Sequence, residues 1–336
     1  MSAPAPQQTF QHSHAAHCES GVIGSLLRHH GANASEPMVF GLSAALAFAY
    51  LPFIKVGGLP LVSYRMPPRA IIKGIRQAFA IRFRFETFRS VEAGQARLDD
   101  LLAQGTIVGL QTSVFWLPYF PQDMRFHFNA HNLLVYGKEG DEYLISDPIG
   151  DVPVRCATAD LNRARFAKGA LAPKGLLYYP DNTPRAQADW PAVQRALKKT
   201  CRGMLAPFPL VGVRGMRLLA GRFAKLDAQH SNTGHFIGNV IRMQEEIGTG
   251  GGGFRFLYAA FLQEAAQFAP AEKRTALENM AERMLAIGDD WRAFALAAAR
   301  MLRGRDAMNP QHMADLLRAQ ADREEAFFRD LRKLAA

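Results

Sequence analysis

Apolar positions in the first half of the chain change period several times. Val22, Ile23, Leu26 and Leu27 fall at i, i+1, i+4 and i+5, so the run after Cys18 predicts an amphipathic helix ended by Gly31. A Pro-flanked apolar helix is expected around Gly41–Tyr50, and the whole apolar stretch from Gly41 to Ile54 reads as a buried helix. An irregular segment follows through Gly57, Gly58 and Pro60. Next come a helix from Pro68 to Ala80 and a short β-branched and aromatic alternation over Ile81–Phe88. Val91–Gln104 predicts a helix with Leu98, Leu101 and Leu102 on one side, and Thr106–Ser113 predicts a buried strand. The clearest hairpin pairs His131–Tyr136 with Glu142–Ser146 through Gly137-Lys138-Glu139-Gly140-Asp141. Gly and Asp supply the positive φ that such a turn needs. Leu176–Tyr179 is the last expected strand.

A polar, Pro-rich break at Pro180-Asp181-Asn182-Thr183-Pro184 reads as a linker. Beyond it the periodicity is helical throughout, at Trp190–Lys199, Ser231–Ile247, Phe254–Phe268, Ala271–Ile287, Asp290–Leu302 and Asn309–Leu334. No repeat of fixed period is present. The expected organisation is an α+β domain over residues 1–180 and an all-α domain over 185–336.

Composition narrows the class. A chain of 336 residues with 49% hydrophobic and 21% charged residues can bury a substantial core and is not disordered. Three cysteines (Cys18, Cys156 and Cys201) with no CxxC pair exclude a disulfide framework and a thiol-based zinc site. They point to a reducing, cytoplasmic setting. The His12/His14 and His29-His30 pairs lack acidic or thiol companions, so no metal site is expected. The N-terminus shows no charged region followed by an apolar core, hence no signal peptide is read. Gly41–Ile54 is shorter than the ~20 residues a membrane-spanning helix needs.

The net charge is +10, with basic residues recurring at Arg65, Arg69, Lys73, Arg76, Arg82, Arg84 and Arg89. Such a stripe suits an acidic protein, nucleic acid or an anionic lipid surface, or is simply a solvated face. No nucleic-acid motif accompanies it. The glycine run Gly248–Gly253, interrupted by Thr249, lacks the Lys-Ser/Thr ending of a phosphate loop and no strand precedes it. It reads as a connection between helices.

Cys18, in His17-Cys18-Glu19-Ser20-Gly21, stands at a helix start, where the macrodipole and unpaired N–H groups favour a thiolate. A thiolate nucleophile needs a base, and the base needs a group that fixes its tautomer. His131 opens one strand of the predicted hairpin and Asp147 follows the other, so the two side chains can meet at its open end. His127 shares parity with His131 and is a rival base if the strand starts earlier. Asp147, before Pro148, has an alternative role as a turn former. His17 reads as a cap or supporting group, and Cys156 and Cys201 as packing residues.

At these positions the chain resembles a known group. His17-Cys18 with its helix and Gly31, then Phe40-Gly41-Leu42, then His131 with Asp147-Pro148, is similar to the BtrH N-terminal domain. That domain is named after a butirosin-biosynthesis acyltransferase and is related in fold to papain-like cysteine peptidases. Gly250 to Ala266 resembles the helical DUF4872 domain that often follows it. The resemblance implies a papain-like N-terminal domain and acyl transfer from a carrier-protein phosphopantetheine thioester to an amine. It carries over Cys18 as nucleophile, His131 as base and Asp147 as orienter. The donor partner it implies is an acidic acyl carrier protein, the phosphopantetheine belonging to that partner and no cofactor to the chain itself. In one respect the chain departs from the papain pattern, which places a Gln about six residues before the Cys to bind the oxyanion. Here His12 holds that place and Gln11 lies one further away, leaving the Cys18 backbone N–H as the expected donor. The residues alone support a cysteine nucleophile and no finer class, so a cysteine peptidase or amidase and a non-catalytic binding module stay open beside the acyltransferase that the resemblance implies.

Overall fold

The computed structural model describes residues 10–246 and 248–336. Residues 1–9, on which part of the signal-peptide reading rests, and Ile247, the expected end of one helix, lie outside the described residues. The first elements are α1 (Cys18–His29), α2 (Glu36–Leu42), β1 (Leu46–Val56), β2 (Leu59–Arg65) and a short α3 (Ala70–Gly74). They are followed by β3 (Phe83–Glu86), α4 (Val91–Ala103), β4 (Val108–Thr112), β5 (His131–Glu139) and β6 (Glu142–Ser146). Then come β7 (Val154–Ala157), α5 (Thr158–Arg165) and β8 (Leu177–Pro180). The remainder is helical: α6 (Trp190–Met204), α7 (Gly212–Phe223), α8 (Ser231–Glu245), α9 (Arg255–Ala266), α10 (Ala271–Leu302) and α11 (Pro310–Leu334).

The fold is α+β with a helical C-terminal region. Its two compact units do not follow the linear division at the Pro-rich break. One comprises Met1–Glu36 with Ile75–Gln187, the other Pro37–Gly74 with Ala188–Ala336. The segment from 37 to 74, read as part of the first domain, therefore belongs with the C-terminal helices.

In the first unit, six antiparallel strands run in the order β3-β8-β4-β5-β6-β7. Leu110, Leu133, Val135, Ile145 and Leu177 of this sheet share one core with Leu98 and Leu101 of α4. Gly109 has a packing reason, since a Cβ there would lie 2.3 Å from the Tyr178 ring in the neighbouring strand. Helix α1 packs on β5. Its Val22, Ile23, Leu26 and Leu27 are at most 1% exposed, and each such burial contributes roughly 1.5–3 kcal/mol. That anchors the helix and with it the residue at its start. Gly31, at φ +86°, closes it as expected.

In the second unit the apolar stretch Gly41–Ile54 is not a helix. Helix α2 starts earlier and ends at Leu42, and β1 and β2 then form a hairpin across Gly57 and Gly58, both at positive φ. Burial alternates over Leu46–Tyr50, and Val62 and Tyr64 of β2 are buried as well. A continuous apolar run does not distinguish strand from helix by periodicity, and here strand pairing decides. The Pro68–Ala80 helix shrinks to α3. The two helices expected over Ala271–Leu302 are one, α10, and Gly288 stands inside it where a Cβ would lie 2.7 Å from the Phe256 ring. Helix α7 and the β7–α5 pair were not anticipated.

An ion pair lies at the heart of this unit. Arg255 donates to both carboxylate oxygens of Glu324 at 2.9 Å each, and Trp291 Nε1 donates to Oε1 at 2.6 Å. Both charged side chains are fully buried. The glycine segment before α9 keeps φ positive at Gly250–Gly253 and at Phe254. Gly252 N–H donates to the Glu245 carboxylate at 3.1 Å, so this donor serves an internal anion and not a ligand.

Candidate active site

Cys18 is the first residue of α1, and His17 is its N-cap in extended conformation. His17 Nδ1 accepts the Ser20 N–H at 3.3 Å. Glu36 takes the N–H groups of Ala16 and His17 and the Ser20 hydroxyl, each at 2.8 Å. Burial pushes the Glu36 carboxyl up while these three donors oppose the shift. The backbone leading into Cys18 is thus held by one half-buried side chain. The Cys18 N–H falls in the first turn, where a helix supplies no internal acceptor.

Strand β5 starts at His131, and β6 ends at Ser146, one residue before Asp147. Leu134 pairs with Ser146, which sets Asp147 alongside the start of β5. His131 Nε2 and Asp147 Oδ2 are 2.6 Å apart, with both side chains almost wholly buried. Asp147 also fills its other expected role, because Oδ1 accepts the Ile149 N–H at 3.1 Å and closes the Asp-Pro turn.

Cys18 lies near enough to the His131 ring to push its pKa up. Nε2 faces Asp147, so Nδ1 is the nitrogen left for sulfur. Burial, the largest single influence, disfavours charge on His131, yet Asp147 and Cys18 together raise it to about 10. The surroundings of His131 therefore favour the protonated imidazole. The three expected residues are gathered within one unit by the helix start and the hairpin end.

Sequence reasoning missed three neighbours. Tyr119 Oη donates to Asp147 Oδ2 at 2.8 Å. Phe120 stands perpendicular to the His131 ring, centroids 5.5 Å apart. Glu36 is the third. Tyr119 and Phe120 lie in the connection between β4 and β5, whose aromatic density was a signal but whose lack of period hid their direction. His127 stands ahead of β5, exposed, its ring stacked on Phe115 at 4.0 Å. His12 bonds the Ser146 hydroxyl and the Gly150 carbonyl through its two ring nitrogens at 2.8 and 3.0 Å. Gln11 is exposed.

The other thiols differ in kind. Burial pushes Cys156 and Cys201 up to about 12 each. Among the described residues no group of three His, Cys, Asp or Glu is arranged to hold a metal ion. No helix of the described residues is long and apolar enough to cross a membrane. The basic stripe is divided, Arg65, Arg69 and Lys73 falling in the second unit and the rest in the first. Arg82 and Arg84 of the first unit share Asp181, at 3.2 Å each.

A helix-borne cysteine set against a strand-borne histidine and its carboxylate, in an α+β fold, is the layout of papain-like cysteine enzymes. The chain belongs to the family described as "Domain of unknown function (DUF4872)", whose model matches residues 159–331. Residues 17–148 match the model "Butirosin biosynthesis protein H, N-terminal", which spans Cys18, His131 and Asp147. No curated protein matches the chain in sequence. Among solved structures it is similar to a protein described as a C39-like peptidase from Bacillus anthracis. That likeness is 13% identity at a TM-score of 0.36, covering 52% of this chain and 96% of the other.

Proposed function

We propose that the chain is a cysteine-dependent acyltransferase that moves an acyl group from a carrier-protein phosphopantetheine thioester to an amine. The observation that carries the reading is the buried His131–Asp147 pair at 2.6 Å with Cys18 beside it, surroundings that favour the imidazolium. The match over 17–148 to a model named for a biosynthesis protein favours a biosynthetic acyl donor.

Cys18 sulfur, as thiolate, attacks the thioester carbonyl carbon, and the Cys18 N–H receives the developing oxyanion. The C–S bond to the pantetheine breaks, and its sulfur takes the proton from His131. An acyl-Cys18 thioester remains. The amine nitrogen then attacks this carbonyl while His131, now neutral, accepts a proton from it. Collapse forms the amide and returns Cys18 to the thiolate beside a protonated His131. Asp147 fixes the ring and balances its charge in both halves. Water must be excluded in the second half, or the intermediate hydrolyses. Phe120 packs against the imidazole.

The net charge of +10 suits an acidic carrier protein, whose encounter it would accelerate. Three unpaired thiols fit a cytoplasmic setting.

Product analysis tests the reading. The protein is incubated with acyl-pantetheine thioesters and a panel of amines, in parallel with peptides, and products are identified by mass. Amide formed only when amine is added, and lost in His131→Ala, is the expected result. Cleavage of peptides without any amide from thioesters would overturn it in favour of a peptidase.

A further inference from the structure

We propose that Tyr119 is a positioning residue of this site, its hydroxyl holding the Asp147 carboxylate in place against His131. The inference rests on Cys18 being a reactive thiol, and not on the identity of the acyl donor.

Among the described residues the carboxylate has three partners. Oδ1 accepts from Ile149 N–H at 3.1 Å, and Oδ2 is shared by His131 Nε2 at 2.6 Å and Tyr119 Oη at 2.8 Å. Two donors on one oxygen divide its charge. Burial first, then Asp147, push the Tyr119 phenol well above its ordinary value, so it stays a donor throughout the working range. The adjacent Phe120 meets His131 itself. One short stretch of the β4–β5 connection thus fixes the orienting acid and the base together.

Tyr119 also faces the Cys156 thiol, which burial keeps neutral. His131 faces Asp147 and Cys18. Tyr178 feels the charges of Glu19 and Cys18, and burial keeps its phenol protonated. Without the Tyr119 hydroxyl, the carboxylate concentrates on His131 and draws its proton harder. The imidazole then gives up that proton at higher pH. The carboxylate also loses one of its two anchors on Oδ2.

Iodoacetamide alkylation of Cys18, followed by intact mass across pH, reads both effects in the full chain. The wild type should react selectively at Cys18 with an alkaline inflection near pH 10, where His131 deprotonates. In Tyr119→Phe the inflection should rise by about half a unit and the neutral rate fall about five- to tenfold, as for the loss of one ordinary hydrogen bond. In an Asp147→Asn background the same change should alter the rate less than about twofold, since Tyr119 acts only through Asp147. Site-specific 3-fluorotyrosine at 119, a stronger donor of similar shape, should move the inflection down. Equal losses in both backgrounds, or an unmoved inflection in Tyr119→Phe and in the fluorotyrosine protein, would overturn the proposal. If wild-type Cys18 is not selectively alkylated, the reading of the site itself fails, a separate outcome.

Discussion

Replacing Asp147 by Asn removes one charge and almost no volume from the most buried part of the site. His131 stands at about 10 against an ordinary 6.5, although burial pushes it the other way. At ~1.4 kcal/mol per pKa unit, the environment favours the imidazolium by roughly 3–5 kcal/mol. Asn supplies no charge, and its amide group confronts the Nε2–H, so burial wins and His131 falls to its ordinary range or below. At pH 8 the protonated fraction then drops from nearly all to about 3%, a loss of about 30-fold before any misorientation of the ring. The sign for stability follows the same shift. A histidine raised in the folded state contributes in full below about pH 6.5, and the contribution drains as pH rises through about 10. Wild-type melting temperatures should therefore fall between pH 7 and 10.5 more steeply than those of Asp147→Asn. ¹³C-histidine NMR titration assigns the change directly, with His131→Gln identifying the resonance. A His131 resonance still titrating near pH 10 in Asp147→Asn would refute the assignment of Asp147 as the source of the shift.

Other perturbations follow from the packing. Glu324→Ala should destabilise the helical unit by about 3–5 kcal/mol, because the fully buried Arg255 loses its counter-charge, while a double change to apolar residues at 255 and 324 should recover much of it; urea unfolding measures both, and equal midpoints for the single and double variants would contradict this. Gly253→Ala should cost more than Gly57→Ala, since both have φ near +57° but a Cβ at 253 would lie 2.5 Å from the Tyr64 ring whereas position 57 is open. Thermal melts rank the two, and the reverse order would count against the packing described. Iodoacetamide at pH 8 should add one label to the native protein, at Cys18, because burial holds the Cys156 and Cys201 thiols up to about 12; peptide mapping showing Cys156 or Cys201 labelled at a similar rate would disagree.

The positions of the three candidate residues were more legible than the path of the chain around them. Cys18 could be placed because an i, i+1, i+4, i+5 stripe and a terminal glycine mark a helix without ambiguity of period. His131 and Asp147 could be paired because a hairpin's open end brings its first and last residues together whatever surrounds it. Tyr119 and Phe120 were invisible for the opposite reason, since their direction is set by contacts with Asp147 and His131 and not by any local period. Gly41–Ile54 misled because its alternation is masked by apolar residues on both faces of β1, and only the pairing with β2 resolves it. The membership of residues 37–74 in the helical unit was equally out of reach, because a polar, Pro-rich break signals flexibility and says nothing about which earlier segment packs with which later one.

The acyl-enzyme is the most direct object to measure. Intact-mass spectrometry after brief exposure to an acyl-pantetheine thioester, with no amine present, should show wild-type protein heavier by one acyl group, mapped to Cys18. Cys18→Ala should stay at its own mass, and added amine should discharge the adduct. Wild-type protein that gains no mass, or an adduct that persists in Cys18→Ala, would contradict the account.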